Sequence, residues 1–230
     1  MDIKSCKSCR ECPVRWRNFD KLTDEEIKRA SENRKEAHYK RGEIIFKQGS
    51  PTTSAVFLKT GLVKMAFESE YGKEVIVAIV KPGRIIAGPG AFIDDIHHFS
   101  VTALKDTAAC FMDLNIIKDF VRNNGEFALG FLQDISIKSV QEHHKIVSIT
   151  QKRMNGRLAE GLLHLSENIF VSPEFDCCLT RQELGELTYM TKESVVRLLK
   201  QFHDEGIIEV EGSKFRILDK DRLEKIKQSG

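Results

Sequence analysis

The sequence predicts an α+β protein with an N-terminal antiparallel β-roll, jelly-roll-like, then a long helix, and at the C-terminus a winged helix-turn-helix domain. Three observations carry this. Short β-rich runs broken by glycines fill residues 39–110. An unbroken helical pattern follows over 126–152. From Leu179 to Ile217 the periodicity then reads helix, turn, helix and hairpin.

At Thr23 the run Thr-Asp-Glu-Glu-Ile-Lys-Arg-Ala has a hydroxyl N-cap, acids in the first turn and a Glu at the capping-box position, so a helix starts there. Glu43–Phe46, Ala55–Leu58, Leu62–Phe67 and Val75–Val80 are strand-like, with Gly42, Gly49, Gly61, Gly72 and Gly83 between them. Such spacing predicts a roll or barrel. From Glu126 to Lys152 there is no proline and no glycine after Gly130, and Phe127, Phe131, Ile135, Ile146 and Ile149 fall on one side of the helix. That stripe is either a domain spine or a dimer seam. Gly156–Ile169 reads as an amphipathic helix and Pro173 marks a loop. Two short helices follow, capped by Thr180 and Thr191. Gly206 ends the second, and Ile207–Ile217 alternates around a Gly turn as a hairpin. The divisions are a Cys-rich segment over 1–18, a β-roll over 19–125, the long helix and hinge over 126–153, and the winged helix-turn-helix domain over 154–230.

The chain of 230 residues has 36 Lys and Arg against 34 Asp and Glu, and 41% of it is apolar. That composition excludes collagen-like and disordered chains. No stretch approaches the roughly 20 apolar residues of a membrane span. The N-terminus lacks the apolar core of a secretory signal, so the expected compartment is the cytoplasm, where six cysteines serve as thiols or metal ligands. Residues 156–230 carry 11 basic and 14 acidic side chains, so a DNA-binding reading there rests on local charge and motif.

The motif supplies that local chemistry. A helix fits the major groove, and its N-terminal side chains reach base edges. In the second helix the outward positions are Lys192, Glu193, Val196 and Arg197. Glu193 can accept from cytosine N4 and Arg197 can fork onto guanine O6 and N7, so the pair can read G·C. Thr180, Gln182, Thr191 and Ser194 gather at the two helix starts, where hydroxyls, amides and free N–H groups meet phosphates. The ordinary alternative is an i,i+4 ion pair between Glu193 and Arg197 on a solvated face.

Arg41-Gly42-Glu43, Gly49 and Val56–Lys64, then Gly156–Ala159, Leu179–Gly185 and Thr191–Leu199 together resemble the CRP/FNR family of bacterial transcription regulators. The resemblance implies a homodimer joined through helix 126–152, a near-palindromic double-stranded DNA site, and contact with RNA polymerase. It implies base reading by Lys192, Glu193 and Arg197, and backbone contacts by Thr180, Gln182, Thr191 and Ser194. It gives no role in a membrane and no enzymatic activity. The other classes considered are a cyclic-nucleotide-binding module with a non-DNA output and a Cys-cluster redox protein.

Family members that bind cyclic AMP use a Glu for the ribose and an Arg for the phosphate. Here the Glu position is Gly88, followed by Pro89 and Gly90, and the Arg position is His98 or Phe99, before Ser100. The family's adenine contact falls on Glu142-His143. These departures argue against cyclic AMP, because a phosphate beside Phe99 lacks its counter-charge. These loop residues remain the candidate effector pocket. The second candidate receptor is Cys6-Lys-Ser-Cys9-Arg-Glu-Cys12, whose three thiols can hold an iron–sulfur cluster or a zinc given a fourth ligand. The resemblance offers Cys110 as the fourth, the position used by the oxygen-sensing branch, which makes a [4Fe–4S] cluster the cofactor to test. The plain alternative is a mobile tail with ordinary thiols. His97-His98 and His143-His144 read as surface residues rather than haem ligands, and Cys177-Cys178 has no assigned role.

Overall fold

The structure, a computed structural model, describes residues 8–86 and 89–230. The chain forms two compact units, one made of the residues up to Tyr71 with Ile79–Ser139, the other of Gly72–Ala78 with Val140–Gly230. Cys6 and Gly88 lie outside the described residues.

In the first unit, helix α1 (Asp24–Glu32) starts at the capping box the sequence predicts: Glu26 N–H donates to Thr23 Oγ1 at 3.3 Å and Thr23 N–H to Glu26 Oε2 at 2.8 Å. Along the chain follow strands β1 (Arg34–Tyr39), β2 (Ile44–Phe46), β3 (Ser54–Thr60), β4 (Val63–Glu68), β5 (Glu74–Val80), β6 (Ile85–Ile86), β7 (Ser100–Ala103) and β8 (Thr107–Asp113), of which β5 is counted for the most part with the second unit. They form two four-stranded sheets, in the orders β1-β8-β3-β6 and β2-β7-β4-β5. The turn from β3 to β4 requires Gly61: its φ is +86°, and a Cβ there would lie 2.6 Å from the Asp106 carbonyl.

Alternation along β3 divides the apolar residues between two cores. Val56 and Leu58 join Val63, Ile86, Val101 and Ala109 in the interior of the roll. Ala55 and Phe57 point the other way, onto Trp16, Phe19, Met112, Phe120 and Phe127. That second core lies under helices α2 (Leu114–Asn123) and α3 (Gly125–Gln151). Trp16 is central to it, edge-on to Phe127 and Phe131 at 5.5 and 5.7 Å, with its indole N–H donating to Asp134 at 2.7 Å. Phe127 is fully buried against Trp16 and Phe120. Phe127→Ala should therefore cost the first unit about 3–5 kcal/mol of stability, read by urea denaturation; a change below about 1 kcal/mol would show that this core repacks freely.

The α3 stripe divides in a way the sequence pattern does not anticipate. Phe127 and Phe131 are buried in their own chain, whereas Ile135 and Ile146 are exposed together with Leu129, Leu132, Val140 and Val147. At 3.6 residues per turn these six share an arc of roughly 140°, facing away from Phe127 and Asp134. Part of the predicted stripe is thus core, and the uncovered face is turned toward residues the pattern did not include.

In the second unit, α4 (Met154–His164) continues into a wider turn over Leu165–Phe170. Helices α5 (Arg181–Thr188) and α6 (Lys192–Asp204) are followed by β10 (Ile208–Glu211), β11 (Lys214–Ile217) and α7 (Lys220–Ser229). The segment after Pro173, read from sequence as loop, contains a third wing strand, β9 (Glu174–Asp176), paired with β11. Phe175 on it stacks between Phe170 and Phe215, at 4.9 and 5.7 Å.

Candidate functional site

The helix pair is set by its caps and by one glycine. Thr180 and Glu183 form a second capping box, at 3.1 and 2.8 Å, and Thr191 Oγ1 accepts from Ser194 N–H at 3.3 Å. The Thr180 hydroxyl still has a proton to give outward, whereas that of Thr191 donates to Ser194 Oγ at 3.2 Å. Between the helices Tyr189 takes a left-handed conformation, φ 57°, and its N–H returns to the Gly185 carbonyl. A Cβ on Gly185 would lie 2.6 Å from the Met190 carbonyl. Gly185→Ala should consequently force the two helices apart, lowering stability by about 1–3 kcal/mol; an unchanged melting temperature would show that the turn can shift without cost.

Val195, Leu198, Leu199 and Phe202 anchor α6 in the core, while Lys192, Glu193, Val196 and Arg197 face outward. The i,i+4 ion pair does not form: among the described residues neither Glu193 nor Arg197 enters an ion pair. Both groups therefore remain available to a partner. Gln182 donates to Glu186 Oε1 at 3.1 Å, and Ser194 shares a 3.2 Å hydrogen bond with Thr191. Arg181 ties the start of α5 to the wing, donating to the Gly212 carbonyl at 2.8 Å with its guanidinium 4.8 Å from the Phe215 ring centre. The wing's own Arg216 is neutralised by Glu174 and Glu209, both at 3.0 Å.

Residues 36–124 match the model of the cyclic nucleotide-binding domain, and residues 156–226 match that of the Crp-like helix-turn-helix domain. The chain belongs to the CRP/FNR family of transcription regulators. Among its relatives, electron transport regulator A of Shewanella oneidensis is 27% identical over 187 residues, 80% of this chain and 74% of the relative. The transcriptional activator protein Anr of Pseudomonas aeruginosa is 24% identical over 224 residues, 93% and 88% of the two chains. In fold, the chain is similar to FixK2 from Bradyrhizobium japonicum, with a TM-score of 0.77 at 20% identity over 86% of this chain and 98% of the other.

Where CRP/FNR members that bind cyclic AMP carry their phosphate arginine, this chain presents a different chemistry. His98 Nε2 is 3.1 Å from Asp94, and Asp95 pairs with Lys118 at 2.8 Å. Phe99 packs against the roll interior, and Ser100 Oγ accepts from Gln48 N–H at 3.0 Å. Pro89 and Gly90 open a short 3-10 turn, Pro89–Phe92, and a Cβ on Gly90 would strike the Ile96 carbonyl. Glu142, at the adenine position, pairs with Lys145 at 2.6 Å. His97 corrects the surface reading of the histidine pairs: it is buried, stacked on Phe46 at 3.8 Å, and burial pushes its imidazole below the usual range. Among the described residues no helix is long and apolar enough to cross a membrane.

Cys9 and Cys12 are not on an unpacked tail. Cys9 and Cys12 are buried, Cys9 N–H donates to Ser31 Oγ at 2.9 Å, and Arg10 pairs with Asp24 at 2.7 Å. Cys9, Cys12 and Cys110 line one pocket, walled by Trp16, Phe19 and Phe57 and edged by Arg15, Arg34 and Lys59. Among the described residues no three His, Cys, Asp or Glu side chains could hold a single metal ion. Three thiols lining one apolar space with basic neighbours are the donor type and charge environment that an iron–sulfur cluster uses. Burial, reinforced by Glu36, pushes the Cys110 thiol up to about 11, while Arg34 and Lys59 pull it back. Cys177, deep in the second unit, is likewise raised to about 11 by burial, which makes it an inert core thiol.

Proposed function

We propose that this CRP/FNR regulator works in the cytoplasm as a homodimer joined through the exposed face of α3, and that each copy reads one half of a near-palindromic DNA site with α6. The observation that carries this is the outward, ion-pair-free face of α6 in a capped helix-turn-helix with a wing. Lys192, Glu193 and Arg197 read bases, Arg197 forking onto guanine and Glu193 accepting from cytosine. Thr180, Gln182, Thr191 and Ser194 hold the backbone, with RNA polymerase as the further protein partner. No step in this role calls for enzymatic chemistry.

The signal enters at Cys6, Cys9, Cys12 and Cys110. A [4Fe–4S] cluster bound there would supply a redox- and oxygen-sensitive centre. The chain's part is to hold the Cys9, Cys12 and Cys110 thiols in an apolar pocket that Trp16 connects to Asp134 on α3. Protein purified without oxygen should be brown, and replacing Cys6, Cys9 and Cys12 with serine should remove the colour. A colourless parent that binds DNA normally would move the signal elsewhere.

Cyclic AMP is not the effector in this reading. Asp94 and Asp95 occupy the loop where its phosphate would need a cation, and Phe99 fills space beside it. Calorimetry with millimolar cyclic AMP should give no saturable heat; a saturable isotherm would restore the nucleotide as effector.

A further inference from the structure

Lys59 is one of the largest fully buried side chains among the described residues, at 2% exposure. A lysine is almost never so buried unless something fixes its charge, and here its ammonium lies 2.8 Å from Glu36 Oε2. As a contribution to stability this is a poor use of a core position, because an apolar side chain of similar volume would serve as well or better. The reason must lie in what surrounds the charge.

Sheet register gives the surroundings. Cys110 on β8 stands between Glu36 on β1 and Phe57 on β3 in one cross-strand row. Lys59, two residues beyond Phe57, extends from the same face as the strand shifts register between Leu58 and Thr60. That face is the wall of the pocket in which Lys59 joins Cys9, Cys12, Cys110, Arg15 and Arg34. Arg15 is compensated by Asp20 at 2.6 Å. The pocket thus brings sulfur ligands together with a cation that is buried, cannot swing into solvent, and is held in place by an acid on β1, beyond β8 in the same sheet.

We propose that Lys59 sets the charge balance of the thiol pocket: its ammonium, positioned by Glu36, stabilises negative charge on the surrounding sulfurs. The inference rests on reading those thiols as the receptor, and it adds a signed role for two residues that hold no metal themselves. A fixed cation in a low-dielectric wall favours the more negative of two states. For a bound cluster that is the reduced form, and for the metal-free protein it is the thiolate. Glu36 acts in the opposite sense, so removing each member of the pair should move the pocket in opposite directions.

The test compares the full-length parent with K59M, E36Q, K59M/E36Q and K59R, each checked for fold by circular dichroism. One arm reconstitutes the proteins anaerobically with iron and sulfide and titrates the cluster's midpoint potential by absorbance. The other measures, in metal-free protein at one fixed pH, the rate at which iodoacetamide labels Cys110, read by peptide mass. K59M should shift the midpoint negative and slow labelling several-fold. E36Q should shift it positive and speed labelling, the double variant should return close to the parent, and K59R should retain most of the parent's behaviour. Shifts of the same sign in K59M and E36Q, or none in either arm, would overturn the proposal. A parent that takes up no cluster would sink the cluster reading, and the labelling arm would then decide the role of Lys59. A normal cluster with unmoved variants would sink Lys59 alone.

Discussion

Leu132→Glu should turn the protein into a monomer and weaken binding to a two-half-site operator by about 10²–10⁴-fold, the advantage that linking two recognition events confers. Leu132 is 59% exposed in the single chain and lies at the middle of the uncovered α3 arc, between Leu129 and Ile135. In a two-fold seam the same patch meets itself, so one added carboxylate faces its own copy across the axis and two charges must be desolvated together. Leu132 makes no part of the buried core, so the fold of each copy should survive, and circular dichroism should be unchanged. Sedimentation gives the direct answer. A variant that stays dimeric would mean that this face is covered by something other than a second copy.

The second large effect concerns base reading. Arg197→Ala should cost about 1–3 kcal/mol per half-site on the cognate sequence and flatten the preference at one G·C pair. Glu193→Ala should flatten a different position. The reasoning depends on the missing ion pair: a guanidinium already clamped to Glu193 would have to break that contact first, and here neither side chain enters one among the described residues. Binding should be compared at equal salt on cognate and scrambled duplexes, because phosphate contacts respond to salt alike on both. Equal loss on the two would make Arg197 a phosphate contact.

Much of this architecture was legible because local rules and tertiary structure agree. The box at Thr23, the caps at Thr180 and Thr191 and the Gly-centred wing are encoded by residues within four positions of one another, and each appears as expected. Features set by distant partners were harder to read. Arg34–Tyr39 is a polar run with no strand pattern, and only its pairing with β8 at the sheet edge makes it β1. Glu174–Asp176 is three residues beside a proline, extended because Phe175 fits between two rings.

The site residues divide in the same way. The outward face of α6 follows from helical periodicity, so Lys192, Glu193 and Arg197 could be placed by counting. The α3 stripe misled, since periodicity gives a face but not what covers it: Phe127 and Phe131 go to Trp16, which is more than a hundred residues earlier in the chain. Lys59 could not be singled out at all. In sequence it is an ordinary lysine near the end of a strand, and only its burial and its partner on β1 mark it.

The most direct test of the central claim is selection of bound sites from a random duplex library by the full-length protein. The account predicts enrichment of an inverted repeat whose half-sites are centred about one helical turn apart and share a G·C pair, the spacing a two-fold dimer presenting α6 to successive major grooves demands. Enrichment of a single asymmetric element, or no enrichment over the input pool, would contradict it.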